Sequence, residues 1–99
     1  MKSKLPESPN EESVEKKVVI KNKLGLHARP AALFVQATGK YNCEIFVRKG
    51  KQKVNGKSIM GLMMLAAGQG TTLTVEAVGP DAKRAVQEVE KLVNGNFGE

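Results

Sequence analysis

Few residues in this chain invite covalent or metal chemistry. Its 99 residues include one cysteine, Cys43, and one histidine, His27. A lone cysteine excludes an internal disulfide, and one cysteine with one histidine cannot build a conventional zinc site. No metal and no cofactor is expected. Aromatics make up 4% of the chain and none is interleaved with the lysines. The stacking platform that single-stranded nucleic acids use is therefore missing. No apolar run approaches the ~20 residues of a membrane span. The opening Met1-Lys2-Ser3-Lys4-Leu5-Pro6-Glu7 lacks the apolar core of a secretory signal. A cytoplasmic protein without membrane insertion is expected. One domain of this size holds a single core and leaves no room for a deep cleft against a second domain.

What is present reads as a basic domain behind a polar arm. Residues 1–16 hold Pro6, Pro9, Ser3, Ser8 and Ser13, with only Met1, Leu5 and Val14 as apolar side chains. Burying so little apolar surface does not offset the entropy of ordering, so 1–16 is read as a flexible N-terminal tail. Its lysines, Lys2, Lys4 and Lys16, are outnumbered by Glu7, Glu11, Glu12 and Glu15. That makes the tail net −1, and with +6 on the whole chain it leaves +7 on residues 17–99, the folded domain.

Within 17–99 the apolar period switches between two and about 3.6. Val18 and Ile20 face one way on a first strand. Pro30, Leu33, Phe34 and Ala37 share one face of a helix from Ala28 to Lys40. Cys43, Ile45 and Val47 alternate with Glu44, Phe46 and Arg48 on a second strand. A short third strand covers Lys51–Asn55 beyond the Gly50 turn. A short apolar helix over Ser58–Ala67 is closed by Gly68 and Gly70. Leu73, Val75 and Ala77 alternate with Thr72, Thr74 and Glu76 on a fourth strand. Gly79-Pro80-Asp81 starts a last helix, in which Ala82, Ala85, Val86, Val89, Leu92 and Val93 form an apolar stripe up to Asn94-Gly95. The order β-α-β-β-α-β-α, with one wet face per strand, predicts a two-layer, open-faced α/β sandwich of the α+β kind. Strand order is not contained in the periodicity.

Chemistry concentrates at Gly25-Leu26-His27-Ala28-Arg29-Pro30. A single histidine before a helix is often only a cap or a surface residue, but these neighbours change its meaning. Gly25 permits a turn and close approach of a bulky group. Pro30 fits the first helical turn, where its missing N–H costs little. The amides of Ala28 and Arg29 stay free for phosphate oxygens, and the helix dipole favours an anion there. Arg29 adds a planar guanidinium fork. The same dipole disfavours imidazolium, which keeps on the ring the lone pair needed to attack phosphorus. Reversible phosphorylation of His27 is the chemistry this arrangement predicts.

Gly25-Leu26-His27-Ala28-Arg29-Pro30-Ala31, followed about thirty residues later by Lys57-Ser58-Ile59-Met60-Gly61, resembles the HPr family. These are the histidine-containing phosphocarriers of the bacterial phosphoenolpyruvate-dependent phosphotransferase system, and the resemblance spans 17–99. It implies a four-stranded antiparallel sheet in the order 1-4-2-3 with three helices on one face. It implies that His27 accepts a phosphoryl group on Nδ1 from phosphoenolpyruvate-charged Enzyme I and passes it to a histidine of an Enzyme IIA domain, with Arg29 steadying the phosphohistidine. Such a protein is a monomeric carrier and not an autonomous enzyme. Asn22-Lys23-Leu24-Gly25 and Asn94-Gly95-Asn96-Phe97 resemble the nitrogen-branch paralogue, whereas the Ser58 motif leans towards the kinase-regulated type. Sugar and nitrogen branches both stand at this point.

Ser58 is first a good N-cap; the resemblance adds that it matches the serine modified by HPr kinase/phosphorylase. A phosphate there is tolerated by the helix and would place negative charge on the docking face. The run Ile59, Met60, Leu62, Met63, Met64 and Leu65 is too apolar to be core alone. Ile59, Met60 and Met63 are expected to offer an adaptable docking patch, with Met60 or Met63 facing out. Two other readings are of a different class. One is a regulatory binding module of the same fold acting through Ser58. The other is an RNA-binding domain, resting on Arg48, Lys49, Lys51, Lys53 and Lys57 alone. A basic hairpin is usually a solvated edge that resists sheet-to-sheet pairing, and no nucleic-acid partner is expected.

Overall fold

A computed structural model of the chain describes residues 12–99. In chain order these form β1 (Glu12–Val19), α1 (Ala28–Gly39), β2 (Glu44–Lys49), β3 (Gln52–Asn55), α2 (Ile59–Met64), β4 (Thr72–Gly79) and α3 (Ala82–Asn94), then a 3-10 turn at Asn96–Gly98. The strands make one antiparallel sheet in the order β1-β4-β2-β3, as the family resemblance implies. Register follows the apolar alternation. Val18 sits opposite Leu73 and Val14 opposite Ala77, while Val47 faces Val75 on one side and Val54 on the other. A one-residue slip would turn all of these outward, so burial of one face fixes the pairing.

Three helices cover that face. α3 buries Ala82, Ala85, Val86, Val89 and Val93, and α1 buries Pro30, Ala31, Phe34, Ala37 and Thr38. Phe34, Ile45, Leu62, Leu73, Val75 and Val89 are almost fully withdrawn from water, each stabilising the fold by about 1.5–3 kcal/mol. Among the described residues no helix is long and apolar enough to cross a membrane.

Three expectations from the sequence need correction. Composition puts 12–16 in a flexible tail, but these residues are the first half of β1 and pair with 75–79 of β4. β1 is an edge strand, which turns only alternate residues inward and tolerates charge on the rest. Val14 and Val18 therefore suffice where a central strand would need more. Residues 1–11 lie outside the described part of the chain.

The second helix is shorter than Ser58–Ala67. It stops at Met64, and Ala66 takes a left-handed conformation (φ 50°). Side chains from the hairpin accept the job of ending it. Lys49 Nζ donates to the Leu65 and Ala66 carbonyls (2.9 and 3.3 Å), and Gln52 Nε2 to that of Met64 (3.3 Å).

The outer face of β4 is not wet. Thr74 and Glu76 are buried on the side away from the helices. Glu76 lies under Arg48, its hydrogen-bond partner, and Lys53 (3.3 Å), while Lys53 also covers the Phe46 ring at 4.7 Å. Burial alone would push the Glu76 carboxyl up. The hydrogen bonds and charges of Lys53 and Arg48 outweigh burial and hold it below the ordinary carboxylate range.

Because its folded value is depressed, Glu76 contributes stability that is present above the unfolded carboxylate value, about 4.3, and lost as pH falls through the folded one. Glu76→Gln should lower stability by about 1–3 kcal/mol at neutral pH. The gap to the parent should narrow in acid. Urea unfolding at neutral and acid pH measures both; an equal loss at each would mean that packing, not charge, is involved.

Candidate functional site

The site begins with a backbone crossing. Ile20 bonds through its amide to the Thr71 carbonyl (2.9 Å), and the chain then turns over 22–25, where the Gly25 amide donates to the Asn22 carbonyl (3.1 Å). Leu26 next donates its amide to the Ala67 carbonyl (2.8 Å), which ties this turn to the segment after α2. Gly25 has φ +72°, and a Cβ on it would lie 2.5 Å from the Ala67 oxygen and 2.8 Å from the Gly68 Cα. Both neighbours are backbone. Only glycine satisfies the conformation and the space together.

His27 follows as the N-cap of α1, in extended conformation (φ −84°, ψ −169°) and with no side-chain capping bond. Its ring is thus not spent on the helix. The first helical bond runs from the Ala31 amide to the His27 carbonyl (3.0 Å). The Ala28 and Arg29 amides precede it and have no helical acceptor, and Pro30 has no N–H to offer. Ala28 and Arg29 are exposed, Pro30 is buried, and the His27 side chain is 36% accessible. His27, Ala28 and Arg29 thus lie together at the partly to fully exposed start of α1, the helix start at which the sequence pattern expects His27.

One neighbour of the ring was not foreseen. The Glu99 carboxylate Oε2 lies 3.0 Å from His27 Nε2, and its Oε1 lies 3.3 Å from Nδ2 of the buried Asn22. Phe97, buried in the core, anchors the segment that carries Glu99. Nothing in residue spacing announces this, because the two partners are 72 positions apart.

Ser58 is the N-cap expected of it. Its Oγ accepts from the Gly61 amide at 3.0 Å, and its backbone is extended. On α2, Leu62 is buried while Ile59, Met60 and Met63 are exposed, the split predicted for a helix half in the core. Met64 (66% accessible) and Leu24 (74%) belong to the exposed apolar set as well. Leu24 sits three residues before His27, where a loop leucine gives no periodic signal.

The basic hairpin is largely committed to its own molecule. Arg48 pairs with Glu76 and Glu15, Lys53 with Glu76, and Lys49 ends α2. Lys57 Nζ donates to the Tyr41 carbonyl at 2.8 Å. Cys43 is half-buried just ahead of β2, and burial pushes its thiol up. A groove of about 710 Å³ runs along Tyr41, Arg84, Glu88 and Lys91 and includes neither His27 nor Arg29. His27 is partly exposed and Ala28 and Arg29 are exposed, so the candidate chemistry is open to solvent.

Comparison with known proteins agrees with this geometry. Residues 14–95 match the family model described as the PTS HPr component phosphorylation site. The chain is 46% identical over 86 residues to phosphocarrier protein HPr of Neisseria meningitidis serogroup A, covering 87% of this chain and 97% of that protein. It is 54% identical over 74 residues to the HPr-like protein Crh of Halalkalibacterium halodurans, covering 75% and 88% respectively. The crystal structure of HPr-C-His from Thermoanaerobacter tengcongensis superposes with a TM-score of 0.84 at 48% identity, covering 87% of this chain and 97% of that one.

Gly25→Ala should cost about 1–2 kcal/mol through its left-handed backbone alone, with more from displacing Ala67. Urea unfolding reads the loss, and hydrogen exchange should find the Leu26 amide less protected. An unchanged Leu26 amide would mean that the crossing tolerates a methyl group.

Proposed function

The chain belongs to the HPr family of phosphotransferase-system phosphocarriers, proteins that carry a phosphoryl group and are not autonomous catalysts, and from that premise we propose that its relay runs through His27. Enzyme I charged by phosphoenolpyruvate is the donor, and a histidine of an Enzyme IIA domain is the acceptor. The observation that carries this reading is a non-capping imidazole beside the Ala28 and Arg29 amides, which have no acceptor among the described residues.

In the accepting step the Nδ1 lone pair of neutral His27 attacks phosphorus. The N–P bond forms as the bond to the donor breaks, and the donor keeps that electron pair. On this reading the Ala28 and Arg29 amides and the Arg29 guanidinium stabilise the charge on the equatorial oxygens. The step to Enzyme IIA is the reverse with a different partner. Both proteins share the transition state, so the carrier supplies position and charge rather than turnover. Ile59, Met60 and Met63 are the proposed docking contacts, helped by Met64 and Leu24, in a monomer of the cytoplasm.

A second layer of control at Ser58 is supported by its partly exposed position at the head of the apolar helix. A phosphate on Oγ would still face the first amides of α2, so HPr kinase/phosphorylase could add charge to the docking face without unwinding the helix. On this reading the protein is relay and regulator; as the alternative, regulation through Ser58 and protein contacts is its whole role.

Incubation with Enzyme I and phosphoenolpyruvate should give an acid-labile, alkali-stable label that His27→Ala abolishes. Arg29→Ala should keep the label but slow its appearance by about tenfold to a hundredfold, the worth of a charge-assisted contact. A label that resists acid and disappears in Ser58→Ala would sink the relay and favour the regulatory alternative. Ser58→Ala should in any case cost about 0.5–2 kcal/mol as a lost cap.

A further inference from the structure

The last turn of the described chain is held in an unfavourable conformation. Asn96 and Phe97 both have positive φ (56° and 55°), followed by Gly98 at 76°. Two successive non-glycine residues in the left-handed region are disfavoured sterically and persist only where the surroundings impose them. Here burial of Phe97 in the core imposes them. What the strained turn delivers is the Glu99 carboxylate to His27.

Asn22 is the second unusual residue. It is 3% accessible, and its Nδ2 donates to the Gly25 carbonyl (2.7 Å) and towards Glu99 Oε1 (3.3 Å). Its Oδ1 has no partner among the described residues. Flipping the amide would set Oδ1 against two acceptor oxygens, so the neighbours fix its orientation. Leaving a buried carbonyl oxygen unpaired is unfavourable. Asn22 accepts that cost with both of its amide hydrogens directed at oxygens, one in the loop and one on the carboxylate beside the ring.

The chain Asn22 Nδ2, Glu99, His27 Nε2 has a definite chemical consequence. A carboxylate is only an acceptor, so the nitrogen facing it carries the proton. In neutral imidazole the other nitrogen then holds the lone pair. We propose that Glu99, steadied by Asn22, is a positioning residue that holds His27 as its Nε2–H tautomer and so makes Nδ1 the nitrogen that receives phosphorus. When Nδ1 gives its lone pair to the N–P bond, Nε2 keeps its proton and the ring becomes cationic. The same carboxylate then faces a positive charge. It therefore supports both the uncharged nucleophile and the phosphorylated ring, while touching neither phosphorus nor its oxygens. The inference rests on the His27 relay only for its use of Nδ1; tautomer selection itself is a property of the unphosphorylated protein.

The test reads the tautomer directly, by long-range ¹⁵N–¹H correlation of the full chain at alkaline pH, where the ring is neutral. The parent protein should show Nε2–H as the dominant form. In Glu99→Ala the ratio of Nε2–H to Nδ1–H should fall about tenfold, the scale of one charge-assisted hydrogen bond. Glu99→Asp should restore part of it. Asn22→Ala should move the ratio in the same direction by less, in a protein whose spectrum remains dispersed. Glu99→Gln discriminates further, because its amide can donate to Nε2 and stabilise the opposite tautomer. An unchanged ratio in Glu99→Ala and Glu99→Gln would overturn the proposal, whatever the phosphoryl assay gives. Failure of the parent to accept phosphate from Enzyme I would overturn the relay, and the tautomer ratio would still decide the role of Glu99.

Discussion

The rest of the site depends on one close approach of backbone to backbone. Gly25 passes so near Ala67 and Gly68 that no side chain fits between them, and the Leu26–Ala67 hydrogen bond closes the contact. This crossing sets the point at which α1 begins. It decides which amides precede the first helical bond, and hence which N–H groups beside His27 have no acceptor within the helix. It also joins the His27 loop to the end of α2, so the imidazole and the methionine-bearing helix belong to one surface. Early termination of α2 is part of the same arrangement. Had the helix continued through Ala67, that carbonyl would have been directed along its axis and not at Leu26. Lys49 and Gln52 complete the arrangement by supplying donors to the carbonyls of Met64, Leu65 and Ala66, which the helix leaves free.

How much of this could be read in the residues follows from the range of each interaction. Local patterns were legible. The alternation of Leu73, Val75 and Ala77, the stripe from Ala82 to Val93, the Ser58 cap and the position of His27 before a helix all depend on neighbours within a turn or two. The end of α2 depends on Lys49, an inward-facing lysine on another element, and an apolar run gives no warning of it. β1 was missed up to Lys16 because its stability comes from hydrogen bonds to β4, while its own side chains are mostly charged. Burial of Thr74 and Glu76 was missed for a related reason. Alternation locates the core face of a strand, but it cannot foresee that long cations from β2 and β3 will roof the other face. Glu99 is the extreme case, since its meaning lies wholly in a contact across the fold.

The distribution of charge separates structural cations from available ones. Arg48, Lys49, Lys51, Lys53 and Lys57 form the densest basic run in the sequence, yet all of them except the exposed Lys51 have an internal partner. The charge of those four neutralises a buried carboxylate or satisfies carbonyl groups. Lys23 and Arg29, by contrast, are exposed on either side of His27. Leu24, Met60 and Met64 are exposed apolar side chains on the His27 loop and on the helix that the Leu26–Ala67 bond ties to it. An acidic partner surface would be drawn to Lys23 and Arg29 at long range, and flexible methionines would then adapt to different partners at short range. Charge counted along the chain points to the hairpin, although most of that charge is paired within the fold.

A relay has a requirement that an ordinary catalyst does not. Whatever stabilises the phosphorylated carrier must be given up when the group moves on, so strong binding would slow release as much as it speeds capture. The open site around His27 suits that requirement. In the proposed relay, two amides and one exposed guanidinium would orient and partly neutralise a phosphoryl group at a helix start that is open to solvent. Specific geometry is the more useful contribution, because an aligned nucleophile lowers the barrier in both directions equally. In the proposed relay, a tight crossing at Gly25, a ring not engaged in capping and a carboxylate on Nε2 would all supply alignment without trapping the cargo. On these grounds the restraint of the site, as much as its reactivity, fits a protein that must receive and surrender the same group.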